Sequence, residues 1–331
     1  MNTTREFSIK NVALFKPNPD VIDARYLYYL VISPAFQALA KGTKTGSAQP
    51  FLGLSQLRTH HIRFHRGLAT QRRIGAILSA YDELIEKSQR RIRLLEAMAR
   101  ALYREWFVHY RLPFNEKLPR VASSLGDIPQ GWHVKEMREV AEVIDCLHSK
   151  KPTECLDGPG ILLQLNNIGE AGKLDMRKEF RISAEDYARW TSRIELQGGD
   201  CVITNVGRVA SVGQIPEGVK AAPGRNMTAI RSRAGQLTPT YLIEYLLSSH
   251  MTSEVAKKKD LGTIMDSLNV KGIIRLHVPC PPMEAMLKFE SIARPMRKRI
   301  EVLMEQIQNL RRTRDLLLPR LLSGQFEVKA C

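Results

Sequence analysis

The sequence lacks a long apolar run and a paired set of cysteines. No stretch approaches the roughly 18 apolar residues that a membrane-spanning helix needs. Residues 1–15 have neither the apolar core nor the cleavage site of a signal peptide. The five cysteines form no C-x-x-C pair and make a poor disulfide framework. These absences predict a cytoplasmic protein with reduced thiols and no membrane partner.

Motifs for metal binding and catalysis are also missing. Cys146, His148 and Cys155 lie close together, but no second close pair follows them, which argues against a metal site. The segment AKGTKTGSAQ has the wrong spacing for a phosphate-binding loop. The Pro-Pro pair in CPPM lacks the aromatic residue of an amino-methyltransferase motif, and no convincing nuclease cluster of carboxylates and lysine occurs. The sequence therefore predicts a chain that is not an enzyme.

Acidic residues are scarce relative to basic ones. Fifty Lys and Arg against 34 Asp and Glu leave a formal charge of +16, with a pI of about 9.8. Such an excess favours a polyanionic partner, most commonly nucleic acid, although ribosomal and membrane-surface proteins share it. A chain of 331 residues with 44% apolar content can bury two ordinary cores, so we expect about two domains.

Two segments carry long heptad seams. Apolar residues recur at a/d spacing from Ile74 to Trp106, a length that would span roughly 50 Å as a helix and requires a partner helix. Adding 215 to each number gives a second seam, from Phe289 to Leu321. The residues predicted to form the helix-helix seam are Ile85, Ile92, Leu95, Leu102, Ile300, Ile307, Leu310 and Leu317.

The repeat continues upstream of the seams, where no heptad pattern could produce it. ARYLYYLVIS at 24–33 aligns with PTYLIEYLLS at 239–248. GSAQPFLGLSQLRTHHI at 46–62 aligns with GTIMDSLNVKGIIRLHV at 262–278, at an offset of 216. The repeating unit is therefore a globular piece followed by a helix. Roughly ninety residues of the second copy, from about Ser124, have no counterpart in the first.

Local signals predict the remaining elements. In the first copy we expect a strand at 12–16, a helix at 24–40 interrupted at Pro34, and a long helix at about 71–109. Pro295 and Pro319 should start and stop the second long helix, or kink it. In the second copy the runs 160–168, 200–206 and 208–215 indicate strands, and 237–249 indicates a helix with Thr238 as N-cap and Pro239 in its first turn.

Short motifs mark the second copy in a characteristic order. GDIPQGW at 126–132 precedes GGDCVIT at 198–204 and NMTAIR at 226–231. A Tyr-Leu helix, a Gly-Thr loop and a Pro-Pro pair follow, and LLPRLLSG at 317–324 ends the series. In this order the motifs resemble those of the DNA-specificity subunits of type I restriction-modification systems, over about residues 1–328.

The resemblance implies an α+β fold, in which mixed α/β target-recognition domains are joined by two long antiparallel helices that form a coiled-coil rod. Full-length members carry two complete recognition domains, whereas the first domain here retains only its C-terminal third. Either the gene is truncated, or recombination or another chain supplies the rest. The implied segments are a domain remnant (1–68), a first helix (69–112), a linker (113–123), a complete recognition domain (124–283), and a second helix with tail (284–331).

The resemblance also implies a function. Such subunits direct methyltransferase and restriction subunits to double-stranded DNA for methylation and for defence against foreign DNA, and have no active site. S-adenosylmethionine, ATP and Mg²⁺ are expected in the partner subunits and no cofactor in this chain. A second specificity chain is a further candidate partner. Trp106, Phe107, Arg90, Arg91, Arg104 and Arg311 are candidates for docking these subunits, with a solvated charged face as the alternative for each arginine.

The alternative function is a coiled-coil scaffold without sequence-specific DNA binding. Such a scaffold would associate with DNA weakly and with little dependence on salt.

Candidate DNA-contacting residues lie in polar loops of the second copy. Arg, Lys, Asn and Gln can form bidentate bonds to base edges, while Lys, Ser, Thr and backbone amides hold phosphates. We rank Arg225, Arg208, Lys258 and Asn226 first. The full set is Asn166, Asn167, Asn205, Arg208, Lys220, Arg225, Asn226, Lys257, Lys258, Lys259, Thr263, Ser267 and Asn269. Each Asn could instead be a turn residue, and the Lys triplet an ordinary helix end.

Overall fold

A computed structural model describes residues 12–42, 52–113, 118–177, 179–258 and 267–328. The helices are α1 (Ala24–Ile32), α2 (Pro34–Gly42), α3 (Leu54–Thr59), α4 (Leu68–Tyr103), α5 (Met137–Val140), α6 (Ala184–Trp190), α7 (Pro239–Leu246), α8 (Ser249–Lys258), α9 (Val270–Ile273) and α10 (Met283–Leu322). The strands are β1 (Arg120–Val121), β2 (Ile128–Pro129), β3 (His133–Glu136), β4 (Ala141–Asp145), β5 (Gly160–Ile161), β6 (Arg181–Ile182), β7 (Cys201–Thr204), β8 (Val212–Gln214), β9 (Met227–Ser232) and β10 (His277–Cys280).

The chain divides into two compact units. Unit 1 comprises the residues up to Arg91 and those from Leu303 onward, and unit 2 comprises Ile92–Val302. Small antiparallel sheets combined with the long helices α4 and α10 confirm the predicted α+β class. Within the described ranges, no helix is both long and apolar enough to cross a membrane.

Unit 1 is a helical core built on the beginning of α4 and the end of α10. Ile74 and Leu78 are fully buried and share a cluster with Tyr26, Leu318 and Leu321. Asp82 of α4 forms an ion pair with Arg314 of α10. An imidazole nitrogen of His65, which precedes α4, lies 3.1 Å from the carbonyl oxygen of Leu321. The two helices therefore run antiparallel in this unit, since residue numbers rise along one as they fall along the other.

The buried side-chain amide of Gln71 links the segments that pack on the N-terminal part of α4. Gln71 has no exposed surface, and its Oε1 accepts a hydrogen bond from the backbone N–H of Asp23 at 2.7 Å. Its Nε2 donates to the carbonyl oxygens of Val21 at 3.0 Å and His65 at 2.6 Å. One side chain thus satisfies three backbone groups from two segments that cover α4. Such groups are costly when buried without a partner.

Replacing Gln71 with leucine should destabilise unit 1 by about 2 kcal/mol, because these three backbone groups would lose their partner. Hydrogen exchange of residues 18–30 should accelerate accordingly. The control is Gln37→Ala, which removes an exposed amide that donates to the carbonyl oxygen of Val31 and should change exchange little. Unchanged hydrogen-exchange protection in the Gln71 variant would show that the hydrogen bonds of Gln71 do not stabilise unit 1.

Both prolines of the second long helix lie within it, so the prediction that they start and stop this helix is wrong. Pro295 and Pro319 are exposed, and α10 continues through both. Each proline removes one backbone hydrogen bond to the residue four positions earlier. Those acceptors belong to Ser291 and Asp315, which are themselves exposed, so water can bond to them.

The predicted seam is buried unevenly. Of its eight residues, Ile85, Ile92, Ile300 and Ile307 are buried, whereas Leu95, Leu102, Leu310 and Leu317 are partly exposed.

The end of α4 turns two aromatic side chains into the core of unit 2. A π-helical turn at Arg104–Val108 follows the helix. Trp106 is 6% exposed and Phe107 is fully buried. The Phe107 ring lies 4.9 Å from Tyr241 and 5.1 Å from Phe289, centroid to centroid. The prediction that Trp106 and Phe107 dock other subunits is therefore wrong, because both pack inside this core.

Unit 2 is organised around a four-stranded antiparallel sheet of order β4-β9-β7-β8. The predicted helix at 237–249 is present as α7, with Thr238 and Pro239 at its start. The predicted strand at 160–168 is only β5, because Leu165–Asn167 forms a 3-10 turn. Trp132 of GDIPQGW is buried against Phe107 and Tyr110.

The first-copy strand predicted at 12–16 is not formed. Val12 and Leu14 are each 65% exposed, in irregular backbone. In the repeat, VALFKP at 12–17 matches TAIRSR at 228–233, most of which lies in β9 and pairs with β4 and β7. The described residues of unit 1 contain no strand that could act as such a partner.

The internal repeat is visible in the contacts of α1 and α7. Tyr26 and Tyr241 are both fully buried, and their hydroxyls bond to the backbones of His65 and Pro279, respectively. A second pair of positions recurs with different chemistry. In the first copy, the Tyr29 hydroxyl donates to Asp82 at 2.5 Å. Adding 215 to both numbers gives Glu244 and Arg297 in the second copy. That second pair is an ion pair with a 2.8 Å separation. Each copy therefore ties its Tyr-Leu helix to its long helix at the same place.

Candidate nucleic-acid interface

A pocket of about 550 Å³ with many polar lining residues opens in unit 2, beside strands β5 and β6 and the beginning of β9. Three residues predicted to contact DNA meet there: Asn166, Arg225 and Asn226. Its lining comprises Lys151, Glu154, Leu162, Gln164, Leu165, Asn166, Glu179, Phe180, Arg225 and Asn226. We call this the polar pocket.

The wall that carries Asn166 is a turn fixed from behind. Asn167 is 2% exposed; its Oδ1 accepts from the backbone N–H of Gln164 at 2.8 Å, and its Nδ2 donates to the carbonyl oxygen of Asp175 at 2.8 Å. Arg208 donates to the carbonyl oxygens of Leu165, at 3.4 Å, and of Ile168. These bonds leave Asn166 exposed at the pocket. Both Asn167 and Arg208 thus hold the turn; Arg208 is exposed and donates there only from Nη2, so its role at DNA stays a prediction.

A second part of the lining is the tight segment before β9. Gly224 approaches the backbone of Leu163 so closely that a Cβ would overlap its carbonyl oxygen. Asn226 has a φ of +63°, a left-handed conformation that Asn tolerates better than most residues. Its carbonyl oxygen accepts from the N–H of Asn205 at 2.9 Å. Arg225 between them is exposed and has no hydrogen bond or ion pair with the described residues.

The remaining part of the lining carries charges of both signs. The Lys151 ammonium lies 3.9 Å from the centroid of the Phe180 ring, a cation-π contact. Glu179 forms an ion pair with Arg181 at 2.7 Å. Glu154 lies beside Cys155, whose N–H donates to the carbonyl oxygen of Arg181 at 2.8 Å. The sequence did not predict Lys151, Glu154, Glu179 and Phe180, and Gln164 was not selected although it lies two residues before Asn166.

Two other candidates bond to neighbouring protein groups. Asn205 donates from Nδ2 to the Thr228 hydroxyl at 3.0 Å and to the carbonyl oxygen of Leu268 at 2.8 Å. Lys220 lies 3.1 Å from Glu195, and its hydrogen bond lowers the pKa of that carboxyl. Asn205 thus supports the segment around Asn226 from behind.

The candidates at and after α8 fall into three groups. Lys257 pairs with the buried Glu254 at 3.2 Å, while Lys258 is half-buried at the helix end. Burial raises the pKa of Glu254, but hydrogen bonds from His277 and Lys257 outweigh it and leave the pKa below its usual value. Asn269 caps α9 by accepting from the N–H of Gly272 at 2.8 Å, and Ser267 is half-buried nearby. Lys259 and Thr263 lie outside the described residues.

A group of possible metal ligands lies near this region. The ligand atoms of Asp145, Cys146 and His148 are all within 4.8 Å of one another, and Cys155, noted in the sequence, is not among them. The His148 imidazole and the Asp145 carboxylate are 2.7 Å apart and bond directly to each other. Cys146 is fully buried, and burial raises the pKa of its thiol.

The hydrogen-bonding groups that line the pocket suit contact with base edges. Arg225 offers a fork of donors, while Asn166, Asn226 and Gln164 each offer a donor and an acceptor on one amide plane. These are the side chains that form paired hydrogen bonds with guanine and adenine edges. They converge on one concave surface and stand on segments held by Gly224, Asn167 and Arg208.

Comparisons with known proteins give the same family as the motifs. No protein-family model matches the chain. The type I restriction enzyme MjaIX specificity subunit of Methanocaldococcus jannaschii is 23% identical over 316 residues, which is 94% of this chain and 71% of that protein. The MjaVIII specificity subunit of the same organism is 22% identical over 268 residues, or 79% of this chain and 61% of that protein.

The chain is a homologue of type I restriction enzyme specificity subunits. The family resemblance predicted from the motifs is thereby confirmed. Among solved structures, the crystal structure of the type I restriction-modification S subunit from M. genitalium has a TM-score of 0.59 at 15% identity. It covers 94% of this chain and 75% of that one, and the likeness concerns the fold. The chain is thus similar to specificity subunits over most of its own length.

Proposed function

We propose that this homologue is the DNA-recognition subunit of a type I restriction-modification system. It selects a DNA sequence for the methyltransferase and restriction subunits, and acts in the cytoplasm of its host cell. Residues 124–283 form the recognition domain, and α4 and α10 contribute the surfaces for its partners. The observation that carries this proposal is the convergence of Arg225, Asn166 and Asn226 on the polar pocket of a chain with a net charge of +16.

The proposed role is non-catalytic. Methylation and cleavage, with S-adenosylmethionine, ATP and Mg²⁺, belong to the partner subunits. The polar side chains of the pocket instead form a set suited to hydrogen bonding with base edges.

A binding experiment separates this role from that of a coiled-coil scaffold. The chain with its methyltransferase partner should enrich one sequence from a randomised duplex library. Affinity for that sequence should fall steeply with salt and exceed affinity for unrelated DNA by about 10³-fold or more. Equal affinity for all sequences, with little dependence on salt, would favour the scaffold.

Asn226 allows the side chain to be tested apart from the backbone. Asn226→Gly removes the amide but keeps a residue that adopts positive φ without strain. We expect affinity for the selected sequence to fall by about 1–2 kcal/mol, with unfolding stability and non-specific binding nearly unchanged. Asn205→Ala, which removes the support behind this segment, should instead lower stability as well. Full affinity in the Asn226 variant would remove this side chain from the interface.

A further inference from the structure

The polar pocket contains a carboxylate whose negative charge should repel a polyanionic partner. Its basic groups fit DNA, but Glu154 and Glu179 also line it. Glu179 is neutralised by Arg181 at 2.7 Å. Glu154 is exposed and has no hydrogen bond or ion pair with any residue that the structure describes. Near phosphates this charge would weaken binding of every sequence.

The backbone beside Glu154 is held in place. The N–H of the next residue, Cys155, donates to the carbonyl oxygen of Arg181 in β6, and Gly158 donates to the carbonyl oxygen of Cys155 at 2.9 Å. Gly158 packs so closely on Ile182 that a Cβ would overlap its carbonyl oxygen, and Arg181 donates to the carbonyl oxygen of Gly158 at 3.1 Å. The segment after Glu154 is thus anchored to strand β6, which directly follows the pocket residues Glu179 and Phe180.

Glu154 and the basic side chains of the pocket have opposite hydrogen-bonding roles. Arg225 and Lys151 can only donate, whereas an ionised carboxylate can only accept. Base edges present both acceptors, such as guanine O6 and N7, and exocyclic amino donors on cytosine N4 and adenine N6. Because an ionised carboxylate cannot donate, it selects the amino group and rejects a carbonyl at the same position, whereas an amide side chain can bond to either.

We propose that Glu154 is a specificity-determining residue of the polar pocket, which accepts a hydrogen bond from the exocyclic amino group of a cytosine or adenine in the target. This inference rests on the proposed function. It adds a residue whose negative charge opposes general DNA binding but discriminates between bases.

The test exploits two effects of opposite sign. In Glu154→Ala, measured in complex with the methyltransferase partner, affinity for the selected sequence should fall about tenfold. Affinity for unrelated DNA should rise roughly twofold at low salt, because one repulsive charge is gone. Glu154→Gln keeps an acceptor oxygen and should give an intermediate loss. Glu185→Ala removes an exposed carboxylate outside the pocket and should spare the selected sequence.

Base analogues identify the contacted group. Each cytosine or adenine of the selected sequence is replaced in turn by an analogue without its amino group. At one position the analogue should weaken binding of the unaltered protein but have little further effect on Glu154→Ala. Equal or higher affinity of Glu154→Ala for both kinds of DNA would overturn the inference while leaving the proposed function intact. Absence of any selected sequence in the unaltered protein would overturn the proposed function itself.

Discussion

Replacing Arg297 with methionine is expected to lower the free energy of unfolding of unit 2 by about 3–5 kcal/mol at neutral pH. Arg297 donates from Nη1 to Glu244 at 2.8 Å and from Nε to the Oε1 of Gln214 at 3.0 Å. Glu244 is 3% exposed. Methionine fills similar space but leaves this buried carboxylate without its hydrogen-bonded counter-charge, with only the weaker influence of Arg100 remaining. The tie between α10, α7 and β8 would be lost.

The loss should depend on pH. Burial raises the pKa of Glu244 and Arg297 partly opposes this, so the pKa stays above its usual value. Without Arg297, the pKa of Glu244 should rise further. A carboxyl with a raised folded-state pKa is destabilising where the unfolded chain is ionised, and the penalty disappears as pH falls below the unfolded value. The variant should therefore recover part of its stability as pH falls from neutral to mildly acid.

Urea unfolding followed by tryptophan fluorescence measures this effect, because Trp106, Trp132 and Trp190 all lie in unit 2. Arg294→Met is the matched control. Arg294 pairs with Glu217 at a site where both side chains are about half exposed, so its loss should cost at most about 1 kcal/mol. The double variant Glu244→Gln with Arg297→Met should recover much of the loss. Equal costs for Arg297 and Arg294 would contradict the buried-pair account.

Replacing Arg225 with alanine is expected to weaken binding of the selected DNA sequence by about 1–3 kcal/mol, with a much smaller loss on unrelated DNA. Arg225 is exposed in the polar pocket and has no described protein partner to restrain it. Its fork can make two parallel bonds to a guanine edge. Arg225→Lys tests this fork directly, because lysine keeps the charge but cannot form the same bidentate contact.

Competition binding with selected and unrelated duplexes, over a range of salt, measures both affinities. Arg275→Ala is the control: Arg275 is an exposed arginine of unit 2 that does not line the pocket. If Arg225→Ala weakened both duplexes equally and reduced the salt slope by about one, Arg225 would be assigned to phosphate. Full affinity of Arg225→Lys for the selected duplex would likewise argue against a bidentate contact with a base.

Sequence patterns predicted those features that depend on local chemistry or on repetition. The heptad spacing predicted α4, and the repeat predicted the matching roles of Tyr26 and Tyr241. The strand at 12–16 failed because an apolar segment becomes a strand only when a partner strand is present, and none is described in unit 1. The prediction that Pro295 and Pro319 start and stop the second long helix also failed. A helix can continue through a proline where water can bond to the carbonyl that loses its partner, and this depends on the face of the helix that carries the carbonyl.

The candidate site was predictable in part. Arg225, Asn166 and Asn226 were selected because polar residues in loops can reach a partner, and the structure brings them together. Arg208 and Asn205 were selected for the same reason, yet they donate to backbone carbonyls of the protein. Residue type alone does not distinguish a donor for a base from a donor for the chain itself. Glu154 is placed by the backbone bond of Cys155 to Arg181, and Lys151 contacts the Phe180 ring; no local pattern encodes these tertiary contacts.

The most direct test maps methylated bases across the genome of a host that expresses the chain with its methyltransferase partner. We expect methylation at one defined sequence for the unaltered chain. With Arg225→Ala and Asn226→Gly combined, that sequence should lose methylation or become less strictly defined, although the complex still assembles. Methylation of an unchanged sequence by this variant would contradict recognition through the polar pocket, and methylation without sequence preference by the unaltered chain would contradict the proposed function.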